Sequence, residues 1–152
     1  MKAEINIRRS SAVISETQAE KLDQWSDYPY VHSMTEDRIY GKLCCRKEET
    51  DEAVAQLSEI LGFPFPAVTC SSDWYETHTL AVLISEERSG SSRLTLESAE
   101  KMDEEAVLVF SRVRGLTMDM SLALITAELQ ETGMKTVSAK VVTDLTQEAG
   151  IF

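Results

Sequence analysis

Residues 79–85 and 106–113 are short, bounded by polar turns, and apolar on both alternating sides. A strand with that pattern must be covered on both faces, so it belongs in the interior of a sheet. The rest of the chain has to be arranged around these two strands.

Three flanking segments alternate in the manner of half-buried strands. Residues 2–9 set Ala3, Ile5 and Ile7 against Lys2, Glu4, Asn6 and Arg8. Residues 38–46 set Ile39, Gly41, Leu43 and Cys45 against Arg38, Tyr40, Lys42, Cys44 and Arg46. Residues 93–97 and 136–142 complete the strand set, with a shorter one expected at 67–70.

Helices are expected in between. Ser15 followed by Gln18 is a capping box that starts a helix running to about Trp25. Thr50 is placed as the cap of a second helix, with Asp51 and Glu52 at its positive end, a stripe of Val54, Leu57 and Leu61, and Gly62 as its stop. Met118, Leu122, Ile125 and Leu129 fall at helical spacing ahead of Gly133 and predict a third helix. Phe63-Pro64-Phe65-Pro66 is a stiff extended connector. Residues 98–105 read as an acidic loop or short helix, and residues 144–152 as a helical turn or tail.

The expected class is therefore α+β: a mixed, mainly antiparallel sheet with about three helices packed on one face. The 152 residues fit a single domain, with 146–152 as a flexible or docking tail. The longest apolar stretches fall far short of the roughly 20 residues a membrane span needs. The first residues alternate like a strand and lack a charged-then-apolar leader pattern. With three cysteines, two of them adjacent, the expected setting is the reducing cytoplasm.

Charge narrows the partner class. The net charge is −11, and the acidic excess falls entirely after residue 47. Direct nucleic-acid binding needs a basic surface, so it is not expected. A basic or nucleic-acid-binding protein is the expected partner, met through an acidic surface that occupies a nucleic-acid site in the inhibitor form of the idea. A homodimer is a further expectation.

Several residues carry chemistry worth locating. Cys44 is placed on the strand face of Lys42 and Arg46, whose positive charge would favour a thiolate, while Cys45 on the apolar face reads as core. His32 or His78 would have to reach Cys44 through the fold to complete a nucleophilic site. Asp73-Trp74-Tyr75-Glu76-Thr77-His78 has the composition of a binding loop, although large aromatics cover sheet edges equally well. Tyr28-Pro29-Tyr30-Val31-His32 reads the same way. Glu100, Asp103, Glu104 and Glu105, together with the cluster at 48–52, form acidic runs that serve either as partner surface or as solvated faces.

Neither a metal nor a cofactor is expected. Cys44, Cys45, Cys70 and His78 lack the paired spacings of metal ligands, and no glycine-rich nucleotide loop or nucleophile elbow occurs. The residues thus predict a protein-binding module of adaptor or inhibitor type, with Asp73, Trp74, Tyr75, Glu76 and the acidic run at 100–105 as its surface. The alternative is a small enzyme built on Cys44 or on the Trp74–His78 loop.

Overall fold

The computed structural model describes residues 1–28 and 38–149, with the side chains of 144–149 excepted. Among these residues the order of elements is β1 (Ala3–Ser10), α1 (Glu16–Trp25), β2 (Ile39–Cys44), α2 (Lys47–Leu61), β3 (Thr79–Glu87), β4 (Arg93–Met102), β5 (Glu105–Gly115), β6 (Ser121–Leu129) and β7 (Thr136–Ala149). A 3-10 turn at Ser72–Glu76 precedes β3. The class is α+β, as expected, with two helices in place of about three.

The strands form two sheets. One is antiparallel with order β1-β6-β3-β2; the other is β4-β5-β7, in which β5 and β7 run parallel. The first sheet is the middle layer of three. One of its faces carries Tyr40, Cys44, Leu80, Val82, Ile84, Leu122 and Leu124 against Leu22 and Trp25 of α1 and Ala53, Leu57 and Leu61 of α2. Its other face carries Leu43, Ala81, Leu83, Ala123, Ile125, Ala127 and Leu129 against Ala106, Leu108, Phe110, Val137 and Val141 of the second sheet. This explains the two-sided apolar pattern of β3: it is buried along its whole length between two cores.

The helix expected over residues 118–129 is instead β6. Leu122 and Leu124 face the helices while Ala123, Ile125, Ala127 and Leu129 face the second sheet, so the segment is apolar on every side. A fully apolar run satisfies helical spacing and strand alternation alike, and pairing with both β1 and β3 decides the outcome. The acidic stretch at 98–105 is neither loop nor helix. It is the hairpin of β4 and β5, turning at Asp103, which takes a positive φ of 55° that aspartate tolerates better than most side chains. Residues 67–70 form no strand, and residues 144–149 extend β7 where a helical turn or tail was expected.

Local signals set the helix starts unevenly. Ser15 and Gln18 make both bonds of the capping box, and Gln18 also donates to the carbonyl of Ile60 at the far end of α2. Thr50 is not the cap of α2, which begins at Lys47; its buried hydroxyl sits 2.7 Å from that of Tyr75. Glu49 serves the helix start instead, its carboxylate accepting the Cys45 N–H at 3.0 Å. Gly62 ends α2 in the left-handed region at φ 80°, where a side chain would be strained.

The two sheets are joined at their margins. Asp27 lies between β2 and β7, its carboxylate accepting the Leu43 N–H at 2.8 Å and the Val137 N–H at 3.1 Å. On the opposite margin the terminal amine of Met1 donates to the Ala99 carbonyl of β4. Glu87 and Arg112 tie the interior at one end. Among the described residues, no helix is long and apolar enough to cross a membrane.

Candidate functional site

The helices pack over β2 and β3, while the same face of β1 presents Lys2, Glu4, Asn6 and Arg8 to solvent. A cleft of about 690 Å³ opens there. Its floor is Asn6 and Arg8 of β1, Leu124, Thr126 and Glu128 of β6, and Leu80 of β3. Its wall is the connector from Phe65 to Ser71, held by the buried Phe65 ring and by the bond from the Phe65 N–H to the Ser58 hydroxyl. Beyond Trp74 the groove continues as a second hollow of about 450 Å³, lined by Lys2, Glu4, Trp74, His78, Glu128 and Gln130 among others. Trp74 and Glu128 line both parts.

The 3-10 turn sorts its aromatics by role. Tyr75 points inward, buried, with its hydroxyl on Thr50. Burial pushes this phenol up to about 12. Trp74 stays half-exposed, edge-on to Tyr75 at 4.9 Å between ring centres and stacked on His78 at 4.7 Å and 15°. The His78 Nδ1 lies 2.7 Å from the Thr77 hydroxyl and 3.3 Å from the Trp74 carbonyl oxygen. Asp73 and Glu76 are exposed on the rim.

Glu4 and Glu128 are direct cross-strand partners on the cleft face. Like charges so placed weaken a sheet pair, so they contribute a local negative field at some expense to β1. Cys70, also in the cleft wall, has its thiol raised by burial and then by the charge of Glu128. The lining thus combines the Trp74 face and His78, the adjacent carboxylates of Glu4 and Glu128 with Lys2 beside them, and Arg8 at the far end, a composition suited to a polar ligand.

The acidic hairpin meets the same end of the molecule. The Thr79 hydroxyl at the start of β3 donates to the Glu131 carbonyl at 3.0 Å, and Lys101 of β4 donates to the neighbouring Thr132 carbonyl at 2.9 Å. Lys135 bonds the hairpin tip through its backbone and stands 3.3 Å from the Glu104 carboxylate. The fold therefore gathers Asp73, Trp74, Glu76 and His78 with Glu100, Asp103, Glu104 and Glu105 around the 131–135 loop. Tyr75 alone of the predicted surface residues turns into the core.

Cys44 is where the sequence expectation of an activated thiol fails. The alternation of β2 is as predicted, but the face holding Tyr40 and Cys44 is the one the helices cover. Cys44 is fully buried, and desolvation pushes its thiol up to about 12 despite Lys42. Cys45, expected in the core, is only partly buried and donates its S–H to the Met134 carbonyl. Pro29, Tyr30, Val31 and His32 lie outside the described residues, as do 150–152 of the expected tail. Among the described residues no cluster of metal-ligating side chains occurs. The features missed in the sequence are the cleft face of β1 and the partners of Glu87; the alternation of Lys2, Glu4, Asn6 and Arg8 was the available signal for the first.

No known protein family, curated protein or solved structure matches this chain.

Proposed function

We propose that the chain is a protein-binding module whose docking surface is its acidic end, where the Trp74 cleft and the β4–β5 hairpin face a basic partner protein. One observation carries this reading. Two segments about thirty residues apart in sequence, 73–78 and 100–105, are held around one loop by the Thr79–Glu131 and Lys101–Thr132 bonds. A half-exposed aromatic beside a carboxylate-rich rim is the arrangement of an interface anchor within a steering field. An adaptor and an inhibitor use such a surface alike. Occupation of a nucleic-acid site is the special case in which carboxylates stand where phosphates lie. The three free thiols favour a cytoplasmic setting.

The test is capture from native lysate by the tagged chain and by its E100K/D103K/E105K variant, at low and at physiological salt, read by mass spectrometry. A basic protein retained by the parent chain, weakened by salt and lost with the charge-reversed hairpin is the expected result. Equal capture by both chains would remove the acidic end from the function.

A further inference from the structure

The end of the molecule opposite the acidic hairpin has the reverse character. Seven of the eight arginines fall there: Arg8 and Arg9 at the close of β1, Arg38 ahead of β2, Arg88 after β3, Arg93 opening β4, and Arg112 and Arg114 closing β5. No lysine joins them. Arg9, Arg38 and Arg112 are paired with Glu87 or Glu86, whereas the exposed Arg8, Arg93 and Arg114 give that end a positive rim.

At its tip the loop between β5 and β6 is tied to the 89–91 turn by its polar residues. Thr117, itself exposed, sets its hydroxyl 2.7 Å from that of Ser89 and 3.0 Å from that of Ser91. Asp119, also exposed, accepts the Gly90 N–H at 3.2 Å. Gly115 cannot carry a side chain, because a Cβ would collide with the Ser89 and Ser91 hydroxyls. With the polar residues tied down, the alternate ones turn out: Leu116 is 42% exposed, Met118 93% and Met120 40%. Three large apolar side chains on one fixed loop, ringed by arginine and not lysine, have the composition of a protein interface. Asp119 within the tip and the net charge of −11 oppose insertion into an anionic membrane.

The chain carries the complement of this surface at its other end. Trp74 offers an aromatic face that suits a methionine sulfur; Glu4, Glu128 and Lys2 line the hollow beside it, and Asp73 and Glu76 are exposed on the same turn as Trp74. A nine-residue strand such as β6 separates the ends by roughly 30 Å, several times the screening length of about 8 Å at physiological salt. Each end therefore presents its own sign.

We propose that the arginine end of one copy docks on the acidic end of a second copy, seating Met118 in the hollow beside Trp74 and setting Arg93 and Arg114 against the carboxylate rim. The contact is heterologous, so it propagates head to tail and leaves one free end of each kind. This inference rests on the proposal that the acidic end is a docking surface.

Sedimentation of the purified chain from micromolar to millimolar concentration tests it, with two variants that each disable one end. M118D removes the plug, and E4K/E128K reverses the socket; Met118 and Glu4 are exposed, and Glu128 is half-buried in the cleft lining. The parent chain should grow past a dimer as concentration rises, and added salt should reverse that growth. Each variant alone should remain monomeric, while their equimolar mixture should form a one-to-one dimer and stop. A parent chain that stays monomeric at low salt and millimolar concentration would overturn the proposal. So would growth that ends at a symmetric dimer, a mixture that fails to associate, or a monomer that instead floats with vesicles of anionic lipid. If the chain is monomeric yet captures a basic protein through the acidic hairpin, the self-docking fails and the acidic-end reading stands.

Discussion

Glu87 and Arg112 form a buried ion pair that bridges the two sheets, their side chains 0% and 5% exposed. The Arg112 Nε lies 2.9 Å from one carboxylate oxygen and a terminal nitrogen meets the other, a two-point grip. Ser92 and Ser85 donate hydroxyls to the same carboxylate at 2.8 and 2.9 Å, and Arg9 stands 3.7 Å away. The remaining lone pairs are thus occupied, which is the condition under which a buried pair holds together without strain on either partner.

Glu87→Ala should destabilise the fold by about 3–5 kcal/mol, because it removes the carboxylate that grips the buried Arg112 guanidinium at two points between the sheets. Urea unfolding followed by far-ultraviolet dichroism reads this directly. Replacing both partners by apolar residues of similar volume, Glu87→Leu with Arg112→Met, should recover most of the loss. If the double variant is no more stable than Glu87→Ala, the pair is not what that site depends on.

What the sequence disclosed here follows from where its patterns were unambiguous. The alternation of β1 and β2 and the double burial of β3 were legible, because polar residues on one side or turns at both ends fix the period. β5, apolar on both sides, buries only the face of Ala106, Leu108 and Phe110 and leaves the other half-exposed on the outer side of its sheet. In β6 nothing polar interrupts Leu122 to Ile125, so the period was free and the helical spacing of Met118, Leu122, Ile125 and Leu129 misled. Cys44 shows a subtler limit. Alternation assigned its face correctly, but which face the helices would cover depends on long-range packing. Trp74 and Tyr75 are adjacent and chemically alike, and only the approach of Thr50 decides which turns inward. Glu87 looked like part of a surface turn because its two arginine partners lie 78 and 25 residues away.

Asp27 closes the seam between β2 and β7, and its removal should leave the Leu43 and Val137 amides without acceptors. Asp27→Ala should cost about 2–4 kcal/mol for two such groups, while Asp27→Asn, which keeps an acceptor, should cost less. Burial raises this carboxyl, outweighing the two backbone bonds that lower it. A raised acid binds its proton more tightly in the folded state, so its contribution is largest at low pH and declines as pH rises through the window above about 3.8. Amide exchange at Leu43 and Val137 is the readout. Unchanged protection of both amides in Asp27→Ala would show that the carboxylate is not their partner.

The thiols should react in an order opposite to that suggested by neighbouring charge. Cys44, fully buried and raised to about 12, should resist iodoacetamide in the folded protein at mildly alkaline pH. Cys45 and Cys70, partly exposed and raised to a lesser degree, should label first. Peptide mass spectrometry over time distinguishes the three sites. Labelling of Cys44 at the rate of a free cysteine peptide would mean that the helix layer opens over β2, and it would reopen a nucleophilic role for this residue.

Tyr75 should link the stability of the fold to the position of Trp74. Its hydroxyl meets the Thr50 hydroxyl at 2.7 Å in a buried site, so Tyr75→Phe should lose about 1 kcal/mol and Tyr75→Ala about 3–5 kcal/mol. Because the ring braces Trp74 edge-on, both variants should shift Trp74 emission while leaving the buried Trp25, bonded to the Ala53 carbonyl, unchanged. The phenol titrates near 10 when unfolded and at about 12 here. The folded state therefore holds that proton more tightly. Its contribution is full below pH 10 and is lost as pH rises from 10 to about 12. Comparing urea midpoints across that window isolates the effect, since Tyr75→Phe has no proton to lose and should decline less steeply than the parent chain. Parallel decline of the two proteins would place the alkaline sensitivity elsewhere, with the equally buried thiol of Cys44 as the next group to remove.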